Sequence, residues 1–341
     1  MLPFCFTLPS FAPTLDEALR RVRALRLGDE MGQGSIGRVL QAECPITQER
    51  FAIKRVPLPA PPEQRLSVLK RAAREAAVAQ ALAALGPGTR PASLVRHFAC
   101  LYDTSEDAVL FVMQPCRGPC LAALRLREPS RRLPEERVRP MMVHVAKALG
   151  ALHSSLGVLC VDLKAENVAL DPTEEDPDRV VLLDFDLCRD LPGRSCCEAA
   201  VAAATAAVAA PNAAAADPPD RIWGTPEYLS YEVLKDGAAS YSPASDWWAL
   251  GVLAYELLYG KPPYVGHSLE ALLQRMSHFS PAFPSAAEGG PQVSFHMQQW
   301  VRSLLRHRPD QRLGIRGGAA EVLDHPALAP VPAAVVAGRR H

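Results

Sequence analysis

Two stretches decide the architecture: Cys160-Val161-Asp162-Leu163-Lys164-Ala165-Glu166-Asn167, and Val181-Leu182-Leu183-Asp184-Phe185-Asp186-Leu187-Cys188. In the second, an aspartate closes an apolar, β-prone run, and burying a carboxylate there is costly unless it has partners. In the first, Asp162, Lys164 and Asn167 fall within six residues. A carboxylate able to accept a proton, together with hard oxygen donors suited to magnesium, is what phosphate chemistry requires. A polar loop beside a surface hairpin would explain neither the residue types nor Asp184.

Upstream, Gly32-Gln33-Gly34-Ser35-Ile36-Gly37-Arg38-Val39 lies between β-prone runs. Glycines let the backbone come close to phosphate oxygens. Taken alone, the motif fits a plain glycine-rich hairpin. A dinucleotide-binding crossover is excluded, because it needs a helix to open inside the motif and strand-like residues follow instead. Phe51-Ala52-Ile53-Lys54 comes next, with Lys54 17 residues after Gly37. Leu66, Leu69, Ala73, Ala76, Ala79 and Ala83 recur at helical steps and predict a helix over 62–85. That helix carries Glu75, 21 residues after Lys54 and able to pair with it. Strand-like runs over 93–101 and 108–114 complete a small β-rich region with one helix.

Beyond residue 120 helical periodicity dominates, over 135–155, 227–235, 243–260, 268–278 and 293–306. From Ala199 to Ala216, thirteen of eighteen residues are alanine. With so few large side chains to bury, this run is expected to be a mobile insertion despite alanine's helix propensity. Asp246 inside an apolar helix needs buried donors, and Glu232 and Arg312 are suited to form a buried pair.

The 37 basic and 37 acidic residues balance, so no global field draws the chain to nucleic acid or anionic membrane. Nine cysteines without a C-x-x-C pair point to a reducing compartment, and the cytoplasm or nucleus is the expected location. The N-terminus lacks a basic region, Leu2 excludes myristoylation, and no apolar run is long enough to span a bilayer. A soluble protein with no membrane partner is expected.

With these motifs in order, the chain resembles a eukaryotic protein kinase over roughly residues 24–328. Lys164 after Asp162, with Gly224-Thr225-Pro226-Glu227, is similar to the serine/threonine type. The runs 184–188, 224–229 and 245–251 look most like the AGC group, the relatives of cyclic-AMP-dependent protein kinase. The resemblance implies an α+β bilobal fold: a small lobe with a five-stranded antiparallel sheet and one helix (18–115), and a larger, mainly α lobe (116–330). Residues 1–17 would be a flexible segment, although Phe4, Phe6 and Phe11 offer an alternative by filling a small-lobe pocket. The alanine-rich insertion would occupy about 191–220 of the activation segment. Residues 331–341 would form a short tail without the group's phenylalanine motif.

The resemblance also implies a site for ATP and Mg2+. Gly32, Gly34, Ser35 and Gly37 would cover the phosphates, and Val39 and Ala52 would roof the adenine above Ala169. Met113 stands as gatekeeper, with Gln114 and Cys116 offering backbone hydrogen bonds. Lys54, oriented by Glu75, would hold the α- and β-phosphates, and Asp184 and Asn167 the metal. Asp162 would take the proton of a protein serine or threonine hydroxyl, and Lys164 would stabilise the transferring phosphoryl group. Glu166 and Glu256 match carboxylates that contact basic substrates. Thr225, Glu232, Asp246 and Arg312 would brace the scaffold.

Four departures stand out. Val161 replaces the arginine common before the catalytic aspartate, and Arg221 falls where the group's activation-loop threonine usually stands. A phosphate and its receptor are lost together, which implies independence from activation-loop phosphorylation. Asp186 replaces the glycine of Asp-Phe-Gly, and Tyr231 the proline of Ala-Pro-Glu. Val161, Asp186 and Tyr231 favour an alternative, a pseudokinase acting as a nucleotide-binding or protein-interaction scaffold. The intact Lys54, Asp162, Asn167 and Asp184 favour the enzyme.

Overall fold

The computed structural model describes residues 2–86, 89–208, 221–278 and 280–329. It contains two units, each with its own core. The first takes the chain up to Gly118 together with Ala151–Asp162 and Val181–Trp223; the second takes Pro119–Gly150, Leu163–Val180 and the chain from Gly224. The expected boundary near 115 marks only the first crossing, because the chain later returns twice to the first unit.

The first unit is built on an antiparallel sheet of six strands rather than five. These are β1 (Phe6–Thr7), β2 (Arg26–Gln33), β3 (Arg38–Glu43), β4 (Arg50–Pro57), β5 (His97–Asp103) and β6 (Ala108–Met113), in the order β1-β5-β6-β4-β3-β2. β4 and β6 are apolar enough to be buried nearly throughout, and their pairing sets Lys54 opposite Phe111. The sixth strand comes from the segment expected to be flexible. Phe6 pairs with Cys100, Phe4, Phe6 and Phe11 are buried, and the Phe11 ring meets Phe51 edge-on at 5.5 Å. Each such burial contributes about 1.5–3 kcal/mol, which offsets the ordering of a short segment. Helix α1 (Leu15–Arg23) follows; its first turn is capped by the Thr14 side chain, which accepts from the Glu17 N–H.

Helix α2 (Pro62–Ala84) lies within one residue of its predicted span and starts with proline, whose missing N–H costs nothing there. Ala72, Ala73, Ala76 and Ala79 are buried along it. A helix over Cys196–Val208 packs against α2. This corrects the expectation of a mobile insertion for that part of the alanine-rich run. Two faces of small side chains allow the helix axes to approach closely, so alanine suffices for packing. The remainder of the insertion, 209–220, and the tail, 331–341, lie outside the described residues.

The second unit is mainly helical, as expected. Its centre is the helix Pro243–Tyr259, apolar on every side and buried from Ala244 to Tyr259. Ser242 and Ser245 form a capping box at its start, and Gly260 ends it in the left-handed conformation. Trp247, Trp248 and Trp300 fill the core. Helices Glu135–Ala151, Leu269–His278 and Phe295–Leu304 match the predicted periodicity. Among the described residues, no helix is long and apolar enough to cross a membrane.

Candidate active site

The glycine-rich turn joins β2 to β3 and is closed by the Gly34 N–H donating to the Gly37 carbonyl at 2.7 Å. A Cβ on Gly37 would collide with the Arg55 carbonyl oxygen, so β4 beneath admits only glycine there. A Cβ on Gly34 would lie 4.0 Å from Asp184 Oδ2, within the space between the turn and that carboxylate. A cradle of this kind suits phosphate oxygens and a cation better than a side chain. Gly32 has open space around it. On the sheet, Val39 pairs with Lys54 and Ala52 with Met113. The Gln114 N–H donates to the Arg96 carbonyl at 2.8 Å, so its expected contribution to an adenine falls to its own carbonyl. Cys116 is half-buried, and in the second unit Ala169 is buried and bridged to Cys120.

Lys54 is the centre of a buried charge cluster. Its Nζ donates to Glu75 Oε2 at 2.6 Å and to Asp184 Oδ1 at 2.8 Å. Burial opposes the ammonium's charge, but Asp184, Glu75 and Asp186 outweigh it and hold the lysine firmly protonated, above its ordinary value. Burial likewise opposes ionisation of Asp184, and Lys54 nevertheless keeps it below the usual carboxylate range. His97 is buried beside Glu75, with Nε2 3.3 Å from Oε1. Asp184 has φ 59°, a left-handed conformation that suits aspartate better than bulkier residues.

Asp186 keeps φ negative, so loss of the expected glycine does not strain the backbone. Its carboxylate is buried and accepts a hydrogen bond from Arg71, which also donates to Ser35 Oγ in the glycine-rich turn at 2.5 Å. Burial, then repulsion from Asp184, pushes Asp186 up to about 7. Arg71 was not foreseen as a site residue. Its signal was its place one turn before Glu75 on α2, where i and i+4 share a face.

Asp162 follows a strained turn. Its N–H donates to the Cys160 carbonyl at 2.9 Å, closing a γ-turn around Val161 with φ 70°. That conformation is rare for a β-branched residue and costs of order 1–3 kcal/mol. Strands Val158–Leu159 and Arg189–Asp190 pair beside it.

In the second unit, Lys164 Nζ donates to Thr225 Oγ1 at 3.0 Å, and Asn167 is buried. Glu166 is exposed. Glu256, expected to meet substrate, is instead buried; it accepts from the Tyr228 hydroxyl and from Arg125 at 2.8 Å. Both oxygens are committed to the interior, and Tyr228 in turn accepts from the Ala165 N–H at 3.2 Å. The Arg312–Glu232 pair forms as expected, two-pronged at 2.7 and 2.8 Å, and Arg312 is fully buried. Asp246 is buried on the central helix.

A glycine turn and a lysine held between Asp184 and a helix-borne glutamate are the arrangement of a protein kinase domain. Comparison with known families agrees: the chain matches the protein kinase domain over residues 25–328 and belongs to that family. It is 32% identical over 256 residues to protein kinase PINOID of Oryza sativa subsp. japonica, covering 66% of this chain and 50% of that one. It is 29% identical to the serine/threonine-protein kinases Sgk2 of Homo sapiens, with 88% of this chain and 70% of Sgk2 aligned, and Sgk3 of Rattus norvegicus, with 87% and 50%. These relatives bear out the resemblance to serine/threonine kinases of the AGC group. The chain thus spans about half the length of several relatives it matches.

Proposed function

We propose that this chain transfers the γ-phosphoryl group of ATP to serine or threonine hydroxyls of proteins, and does so without phosphorylation of its activation segment. The observation that carries this is the buried contact of Lys54 with both Glu75 and Asp184. Lys54 would hold the α- and β-phosphates, while the glycine turn meets them with backbone N–H groups. Asp184 and Asn167 would hold Mg2+, which would supply charge neutralisation on the phosphates. Asp162 would orient the acceptor hydroxyl and take its proton, and Lys164 would stabilise the charge developing on the phosphoryl group.

Independence from phosphorylation is supported by what stands at the two switch positions. Arg221 is stacked 4.0 Å from the Trp223 ring, and Val161 provides no cation to receive a phosphate. The Asp186–Arg71 bond ties α2 to the Asp184 run by a charge already present in the sequence. A preference for basic substrates would rest on exposed Glu166, since Glu256 is engaged internally. All nine cysteines are free thiols, which fits a reducing cytoplasmic or nuclear compartment.

The test is phosphotransfer from ATP and Mg2+ to basic and neutral serine/threonine peptides, after phosphatase treatment of the chain. Transfer should survive that treatment and fall about 10²–10⁴-fold in Asp162→Asn. Stabilisation by ATP without transfer would favour the scaffold instead. Transfer appearing only after an upstream kinase modifies residues 219–226 would refute the independence.

A further inference from the structure

Cys188, Asp190, Cys196 and Cys197 have no part in the chemistry above. Asp190 lies on the short strand Arg189–Asp190, opposite Val158. Its carboxylate is fixed at the start of the Cys196–Val208 helix, where Oδ1 accepts from the Cys197 N–H at 3.0 Å and Oδ2 from the Glu198 N–H at 2.8 Å. The two sulfurs and a carboxylate oxygen of Asp190 all lie within 4.8 Å of one another. Two sulfurs on one tetrahedral zinc ion, at about 2.3 Å each, sit about 3.8 Å apart, so little movement would bring these three groups onto one ion.

We propose that Asp190, Cys196 and Cys197 form a binding site for a thiophilic divalent cation, Zn2+ by preference, with solvent in the fourth position. Cys197 is buried while Cys196 and Asp190 are half-exposed, which leaves an approach for the ion and a place for water. The charges suit the ligand. Two thiolates and a carboxylate carry three negative charges against two on the ion, and the helix N-terminus favours the remainder. Cys188 stays beneath the site, its thiol donating to the Cys160 carbonyl at 3.8 Å.

Binding would release thiol protons to solvent and fix the first turn of a helix that packs on α2, the helix bearing Arg71 and Glu75. Adjacent cysteines give no familiar metal spacing; the start of a helix aims both at Asp190. The site does not depend on the proposed kinase activity.

The experiment is titration of the full chain, reduced and stripped of metal, with Co2+ alone. One equivalent should bind with thiolate-to-cobalt charge-transfer absorption in the near ultraviolet, and Zn2+ should bleach it by displacement. Cys196→Ser with Cys197→Ser should abolish the band, whereas Cys44→Ser should leave it intact. Asp190→Asn should weaken Co2+ binding at least about tenfold, no less than loss of an outer-shell partner does. No band from the native chain, which needs no variant to fold, would overturn the site. So would a band that survives the double substitution, or affinity unchanged by Asp190→Asn.

Discussion

Two buried ionic clusters, one in each unit, are built on opposite plans. In the second unit Arg312 meets Glu232 two-to-two, and its remaining N–H groups go to the carbonyls of Ala244 and Arg306. Every charge there is answered. In the first unit Lys54 and Arg71 bond to Glu75, Asp184 and Asp186, with His97 beside Glu75, so carboxylates outnumber the permanently charged cations. A surplus of buried carboxylate is a poor brace and a good place for a cation. A structural pair is complete in itself, whereas a reactive one is left short of the charge its ligand brings.

The largest effect should come from breaking the complete pair. Arg312→Ala leaves Glu232 buried without its cation and should cost about 3–5 kcal/mol of stability, read by denaturant unfolding. The unbalanced cluster should lose activity more than stability. Asp184→Asn should lower phosphotransfer about 10²–10³-fold while costing less stability than Arg312→Ala; equal destabilisation by the two would erase the contrast. Asp186→Gly is milder. It removes the tie to Arg71 and should lower kcat about tenfold, with KM for ATP little changed, as expected for a group that positions α2 without touching nucleotide.

The smallest effect concerns a peripheral pair. Bonds from Arg23, aided by Ser105, hold Asp103 down to about 2. Because this value lies below the unfolded one, the stabilisation is full above about pH 4 and is lost as pH falls through about 2. Asp103→Asn should flatten that part of the acid-unfolding curve, by under about 1 kcal/mol because Arg23 is half-exposed.

Lys54, Glu75 and Asp184 were legible in the sequence because phosphate chemistry admits few residue types, and they sit within a β-prone run, on a helix with a plain period and just after a short apolar strand. The Asp186–Arg71 bond was not, since 115 positions separate its partners and an aspartate in a glycine's place first reads as a loss. The Cys196–Val208 helix was hidden because an alanine run is compatible with both coil and helix until α2 supplies a matching face of small side chains. The partners of Glu256 were hidden for a similar reason: only the fold brings Tyr228 and Arg125 to its oxygens. β1 is two residues long, too short for any alternation to show.

That short strand bears on where the folding unit can be cut. The match to the kinase domain begins at residue 25, yet Phe4, Phe6 and Phe11 are already packed, with the Phe11 ring against both Phe51 and Phe98. A fragment trimmed to the family boundary would strip β5 of its outer neighbour and leave a bare strand edge beside uncovered aromatic rings, a combination that invites self-association.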